Sequence, residues 1–386
     1  MCSGSKSHKQ LQIQIVDDAS ELECWQARWD ALAAETPLAA PTNGYAWVSS
    51  IVEEYLEPDK DWLCLFATRD AELVAVIPLV VISGAHTRAG RNSYVLLNDN
   101  ITFVCDLLIS NSADSKCLAA LGRKIAQTLD ICKLACPRTY DRGGTEKIFG
   151  QPGKNWLSVR EHAGRGSFID TTSDYDDFRD QLGWIKRNLR RSRRRLKSAT
   201  SAEPVLRIET KSSEDSLQAF LDLEDSGYKG RSGTSIKNHP RRMRFYKSVT
   251  DRLANSGALE WHFLEAEGEI IAAHFAFKWA RSLVLSKICY DEKYASCSPG
   301  TILFDEIVAR AFADPETDRI DLLTDLAWHD RWNVSKQDYI SWAIYQKDLV
   351  STIRWATHRG VTSARYSLRK LRNRVRGSLT RTSGGV

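Results

Sequence analysis

No stretch of about 18 consecutive apolar residues occurs in the 386-residue chain, so no segment is built to cross a membrane as a helix. The polar start, Met1 to Gln10, is not followed by an apolar h-region, which argues against secretion and for a cytoplasmic protein. The nine cysteines are odd in number and lie mostly inside apolar runs, a pattern of reduced, buried thiols rather than of a disulfide framework. Cys132 and Cys136 form the closest pair, but no His or Cys at zinc spacing accompanies them, so no metal site is expected. Acid is missing from two stretches. Eight basic residues fall between Trp184 and Lys197 and nine between Leu349 and Val386, with no Asp or Glu in either. Because the net charge is only +5, the rest of the chain is acidic, and the two strips call for an anionic partner or for pairing with the body.

A hydrophobic fraction of 42% and a charged fraction of 27% belong to a soluble globular protein, and the length suits one large domain or two of average size. In the second half, periodicity predicts a strand over Glu203 to Thr210, a helix capped by Ser213, a helix from Pro240, and three strands over Leu259 to Ala266, Glu269 to Lys278 and Leu283 to Tyr290. A helix from Pro299, a short strand at Arg319 to Leu323, an acidic and aromatic loop, and a strand over Tyr339 to Gln346 follow. The first half repeats this order, and its hairpin superposes on the second at an offset of 197 residues, matching Phe66 with Phe263, Glu72 with Glu269 and Ala75 with Ala272. Two copies of one α/β unit are therefore expected. They divide as modules over 1–170 and 171–350, with a basic helix and tail over 351–386. Asp141 to Gly166, rich in Gly, Lys and Arg, reads as a long loop at the junction. Ser173 to Asp176 reads as a capping box opening a helix that runs into the first basic strip, with Ile185, Leu189 and Leu196 as its apolar stripe.

Between the last strand of the second hairpin and the next helix stands Ser298-Pro299-Gly300. The triplet can simply start a helix, with Ser as cap and Pro in the first turn. It can also present unpaired N–H groups and the positive end of a helix dipole to an anion.

The segments Leu223-Glu224-Asp225-Ser226-Gly227-Tyr228-Lys229-Gly230-Arg231-Ser232-Gly233-Thr234, Gly268 to Ala272, Lys287 to Glu292 and Ser298-Pro299-Gly300, followed by Asp321 and Trp332, resemble the GNAT acyltransferase superfamily. Within it they resemble the two-module branch related to CelD/BcsL-type acetyltransferases. Ile77-Pro78-Leu79 and Arg190 to Leu196 also fit that branch. The resemblance implies an α/β (α+β) fold of two tandem modules, each a mixed, mostly antiparallel sheet flanked by helices. It also implies that Ser298, Pro299, Gly300 and Thr301 hold the pyrophosphate of acyl-CoA. The usual Gln/Arg-x-x-Gly-x-Gly/Ala loop is reduced here to Gly300 alone.

Acyl transfer to an amine needs a proton acceptor and donors for the oxyanion. Backbone N–H groups where the fourth strand splays open suit the second task. For the first, Asp291, Asp325 and His329 are the candidates, with His329 titrating near neutrality in its unperturbed state. Lys229, His274, Asp321 and Trp328 are candidate substrate contacts, each with a bland alternative as a solvated, packed or turn residue. The leading expectation is an N-acyltransferase using acyl-CoA on an amine of a small molecule, sugar or amino-acid derivative. A Fem-type enzyme using aminoacyl-tRNA, and a non-catalytic GNAT-derived scaffold whose basic C-terminus binds an anionic membrane or another anionic partner, are the alternatives.

Overall fold

The computed structural model describes residues 11–36, 38–82, 92–98, 101–129, 131–151 and 155–364. Among the described residues thirteen strands form one sheet: β1 (Leu11–Val16), β2 (Trp62–Arg69), β3 (Glu72–Ile82), β4 (Ser93–Leu96), β5 (Leu108–Ile109), β6 (Lys133–Tyr140), β7 (Trp156–Asp170), β8 (Val205–Glu209), β9 (Leu259–Ala266), β10 (Glu269–Trp279), β11 (Ser282–Tyr290), β12 (Arg319–Asp321) and β13 (Ser335–Gln346). Their spatial order is β1-β2-β3-β4-β6-β13-β7-β12-β11-β10-β9-β8, with β5 beside β3. Pairs β4–β6 and β11–β12 run parallel, each bridged by a crossover helix, α1 (Ser115–Leu129) in the first half and α5 (Pro299–Ala313) in the second. Between these lie α2 (Gly183–Thr200), α3 (Glu214–Ser226) and α4 (Pro240–Asn255), and the chain leaves the sheet through α6 (residues 349–364).

The internal repeat holds at the level of backbone detail. Both hairpins, β2–β3 and β9–β10, close through two residues at positive φ, Asp70-Ala71 and Glu267-Gly268. That matches a tight turn whose twist suits the flanking strands. Each pairing also slips one residue near its start, leaving Val74 unpaired in one and Ile271 in the other, again 197 apart.

The two copies exchange their final strands. β7, last of the first half, pairs with β12 of the second, whereas β13 inserts between β6 and β7. The stretch Asp141 to Gly166 is therefore not the expected long loop: it contains the short helix Gly144–Phe149 and most of β7. Its charged and glycine-containing sequence lacks period-2 hydrophobicity, and it is a strand because β12 and β13 supply backbone partners on both sides. The halves also share side chains: Trp47 packs edge-on against Phe245 of α4 at 5.1 Å and beside Phe277 at 5.7 Å. Such aromatic pairs contribute about 0.5–1.5 kcal/mol each beyond the area they bury.

Two further sequence expectations change. Asp174, not Ser173, caps the helix before the basic strip, accepting the Asp177 N–H at 3.0 Å, and that helix ends at Gln181 before α2 begins. Along α2 the basic face is partly paired with acid from α5: Arg193 reaches Asp305 at 2.9 Å and Glu306 at 2.7 Å. Arg187, Arg190, Arg191 and Arg194 are exposed and make no ion pair among the described residues. The spacing of Val361, Ala364, Leu368, Leu371 and Val375 would give the C-terminal helix an apolar stripe, but on α6 Val361 and Ala364 are exposed, and the other three lie outside the described residues.

Candidate active site

The site starts from a strand that loses one neighbour. β12 runs beside β11 only from Ser282 to Val284 and ends at Asp321. Leu323, at φ 56°, then turns the chain away, its N–H held by Asp321 Oδ1 at 2.8 Å. Leu285 to Tyr290 continue with β10 alone on their other edge, and the sheet opens there. At the same point β11 carries a bulge: Phe275 faces Lys287 and Ala276 faces Leu285, so Ser286 is left out of the ladder. Ser286 Oγ is buried with no hydrogen-bond partner among the described residues.

The bulge also reverses which side chains face which layer. Before it, Val284 packs into the core beneath α3 and α4, and Leu285 into the core beneath α5. After it, Cys289 lies against the α3–α4 core while Ile288 and Tyr290 line a cleft at the start of α5. Strand alternation places Lys287 with Cys289.

That cleft, about 250 Å³, is lined by Ser298, Pro299, Gly300 and Thr301 together with Trp184, Asn188, His274 and Arg331. Ser298 sits in the left-handed region at φ 53°, ψ 53° and makes no side-chain cap, so plain serine capping is not what starts the helix. Pro299 has no N–H, Thr301 and Ile302 donate to the Ser298 carbonyl at 3.0 and 3.2 Å, and the Gly300 N–H has no partner among the described residues. Arg195 of α2 donates to the Ser296 carbonyl at 3.3 Å beside the turn. A helix dipole and a free amide stand at this end of the cleft, with Arg331 in the cleft lining and Arg195 beside the turn.

A larger cavity of about 570 Å³ adjoins it across Ile288, Tyr290, Gly300 and Trp328. Lys229, Ser286, Lys287, Thr324 and His329 line it. The Leu223–Thr234 motif forms its wall: Gly230 lies so close to the Asp225 carbonyl that a Cβ would collide with it. This approach excludes every other residue at position 230 without a shift of the backbone. His329 is buried, and its Nδ1 accepts the Leu326 N–H at 3.3 Å, which puts the ring proton on Nε2. Burial, then the nearby Lys336 ammonium, hold its pKa down at about 4, so the ring is neutral at pH 7.

Of the remaining expected residues, His274 and Trp328 line these cavities and the three acids are engaged elsewhere. Asp291 caps the 3-10 turn Glu292–Cys297 by accepting the Lys293 N–H at 2.8 Å. Asp325 is ion-paired with Lys336 and, at 3.5 Å, with Arg165, and the Lys336 hydrogen bond keeps its carboxyl below the usual range. Asp321 is buried, accepting from Arg319 at 3.0 Å and Tyr140 at 3.3 Å, and faces away from both cavities. His274 lines the smaller cleft, and burial pushes its pKa well down. Trp328 stands between the cavities, edge-on to Phe304 at 5.3 Å, while Trp332 is buried beneath it. Lys287 and Ser286 carry no role in the sequence reading. A lysine and a serine side by side in an otherwise apolar strand were the available signal.

Residues 185–332 match the family model described as an acetyltransferase (GNAT) domain. A search of the curated proteins found no match. Among solved structures, FemX is similar with a TM-score of 0.53 at 10% identity, over 82% of this chain and 95% of that one. The C-terminal domain of a putative lysylphosphatidylglycerol synthetase from Agrobacterium fabrum is similar with a TM-score of 0.52 at 11% identity, over 88% and 97%. A conserved protein of unknown function from Bacteroides thetaiotaomicron is similar with a TM-score of 0.51 at 13% identity, over 86% and 100%. The second half of the chain thus carries a match to a GNAT acetyltransferase domain, inside a fold that is similar to that of FemX.

Proposed function

We propose that the protein is an N-acyltransferase that moves an acyl group from acyl-CoA to an amine on a small molecule, sugar or amino-acid derivative. The observation that carries this reading is the junction of the two cavities at Gly300 and Trp328, beside the bulge of β11. The donor pyrophosphate lies on the Gly300 amide and Arg331 at the start of α5, and the acceptor amine enters from the larger cavity. The amine nitrogen bonds to the thioester carbonyl carbon and gives its proton to water. The oxyanion collapses, the C–S bond breaks, and the CoA thiolate takes up a proton. Ser286 at the bulge and the Nε2–H of His329 are the hydrogen-bond donors for the oxyanion. His329 acts in this scheme as a donor rather than as a base, because its free lone pair is already occupied. The described cysteines are all free thiols, in keeping with a cytoplasmic enzyme. Mass spectrometry of the purified protein for co-purified CoA species or tRNA tests the donor.

One observation favours a second reading, an aminoacyl-tRNA donor: α2, which lines the cleft through Trp184, Ile185 and Asn188, carries exposed arginines without an ion pair among the described residues. Replacing Arg190, Arg191, Arg194 and Arg195 with Gln removes four charges from an exposed face and keeps helix propensity. With acyl-CoA as donor, transfer should persist with a small change in donor KM. With tRNA, affinity should fall steeply and the slope of log K against log salt should become shallower by up to about the number of phosphates that the four arginines neutralise. Filter binding across a salt series separates the two. A scaffold acting through the basic C-terminus would instead lose liposome sedimentation on truncation after Asp348 and show no transfer when intact.

A further inference from the structure

The larger cavity has a cationic floor on the side away from the donor cleft. A smaller cavity of about 140 Å³ joins it there, sharing Glu224, Tyr228, Lys229 and Lys287 and adding Thr234 and Arg242. Its single carboxylate is fully used: Glu224 is buried, with Oε1 accepting from Lys229 Nζ at 2.8 Å and Oε2 from the Ile236 N–H at 2.9 Å. Lys229 and Glu224 therefore cancel. Lys287 has no acid within ion-pair distance among the described residues, and its ammonium lies 5.4 Å from the Phe103 ring. Arg242 has no ion pair among them either, and its guanidinium reaches only the Thr234 carbonyl at 3.5 Å. Two uncompensated cations, Lys287 and the half-buried Arg242, thus face one small cavity, and the burial of Lys287 disfavours its charge unless an anion joins them. Burial first, then the charge of Lys229, pulls the Lys287 pKa down to about 8, which is the direction expected of a cation lacking its partner.

We propose that this floor is an oxyanion subsite: the acceptor carries a carboxylate or a phosphate seated between Lys287 and Arg242, which points its amine at the bulge of β11. The inference rests on the acyl-transfer reading for the word acceptor, but the subsite is testable without turnover. The β11 bulge makes it specific to this arrangement. Were Ser286 paired in the ladder like its neighbours, strict alternation would turn Lys287 towards α5 and the donor cleft, and leave the acceptor end with the neutral Glu224–Lys229 pair and Arg242 alone.

The test uses the full chain with acetate and with inorganic phosphate as probes, following the Lys287 side chain by nitrogen-15 lysine NMR. An anion in the subsite is expected to raise its titration midpoint, and Arg242→Gln is expected to weaken the probe at least tenfold. Acetate acting alone assigns a carboxylate, phosphate acting alone a phosphate ester. A midpoint unmoved by either probe at saturating concentration overturns the proposal. In turnover, an amino acid is compared with its amide, and an amino sugar with its phosphate ester. Lys287→Gln should raise KM for the anionic amine at least tenfold with kcat within a few fold, and Lys287→Arg should restore most of it. Equal use of anionic and neutral amines by the parent protein overturns the proposal as well. CoA binding with a silent Lys287 would remove the subsite and keep the acyltransferase, whereas a responsive Lys287 without CoA binding would do the reverse.

Discussion

Gly300→Asp is expected to weaken CoA binding more than tenfold while leaving the fold intact. A Cβ at position 300 meets only Tyr290 Cδ1, at 3.6 Å, which is ordinary van der Waals contact. The substitution therefore adds charge without forcing the helix to move. That charge sits at the first turn of α5, where Gly300 supplies the open amide and lines both cavities. A carboxylate and a pyrophosphate about 4 Å apart repel by roughly 1–4 kcal/mol per charge pair at effective dielectrics between those of water and a protein surface. Gly300→Ala is the companion: it adds the same Cβ without charge and should bind CoA within a few fold of the parent. Calorimetry with CoA distinguishes them. Unchanged affinity in a folded Gly300→Asp protein would remove the pyrophosphate from this turn.

His329→Ala should lower kcat about a hundredfold with donor affinity largely kept, the usual scale for losing one preorganised oxyanion donor, whereas His329→Gln, whose amide keeps an N–H near the Nε2 position, should lose less. Asp291→Asn should change kcat by no more than a few fold, since Asn caps the turn as well as Asp and the carboxylate lies outside both cavities. The pH profile adds a sign. With its pKa near 4, His329 is neutral from about pH 5 upward, so no loss of activity should appear on lowering the pH through 6.5. A kcat that falls with a midpoint near 6.5 and loses that midpoint in His329→Gln would restore the histidine as base. An effect on KM alone would make it a binding group.

Much of the fold is legible in the chain because its signals are local. The hairpin repeat shows at 197-residue spacing, since a two-residue turn between alternating strands is specified by neighbours in sequence. The helix after Ser298-Pro299-Gly300 is marked by its proline and its apolar period, and all four residues named there do line one cleft. The surroundings of the acids were not legible. Asp291, Asp321 and Asp325 are alike in sequence, and only the fold gives them different partners, a backbone N–H, a partly buried arginine and a lysine on β13.

Composition and periodicity by themselves determined two α/β copies, two acid-free basic strips and an anion-ready helix start, all properties of residues close in the chain. Tertiary structure alone decided the exchange of β7 and β13, because the backbone partners that make Trp156–Asp170 a strand come from residues 319–321 and 335–346. It also decided the face of Lys287. One unpaired residue at Ser286 turns that lysine from one side of the sheet to the other, and the bulge sits where β11 stays paired with β10 while β12 diverges.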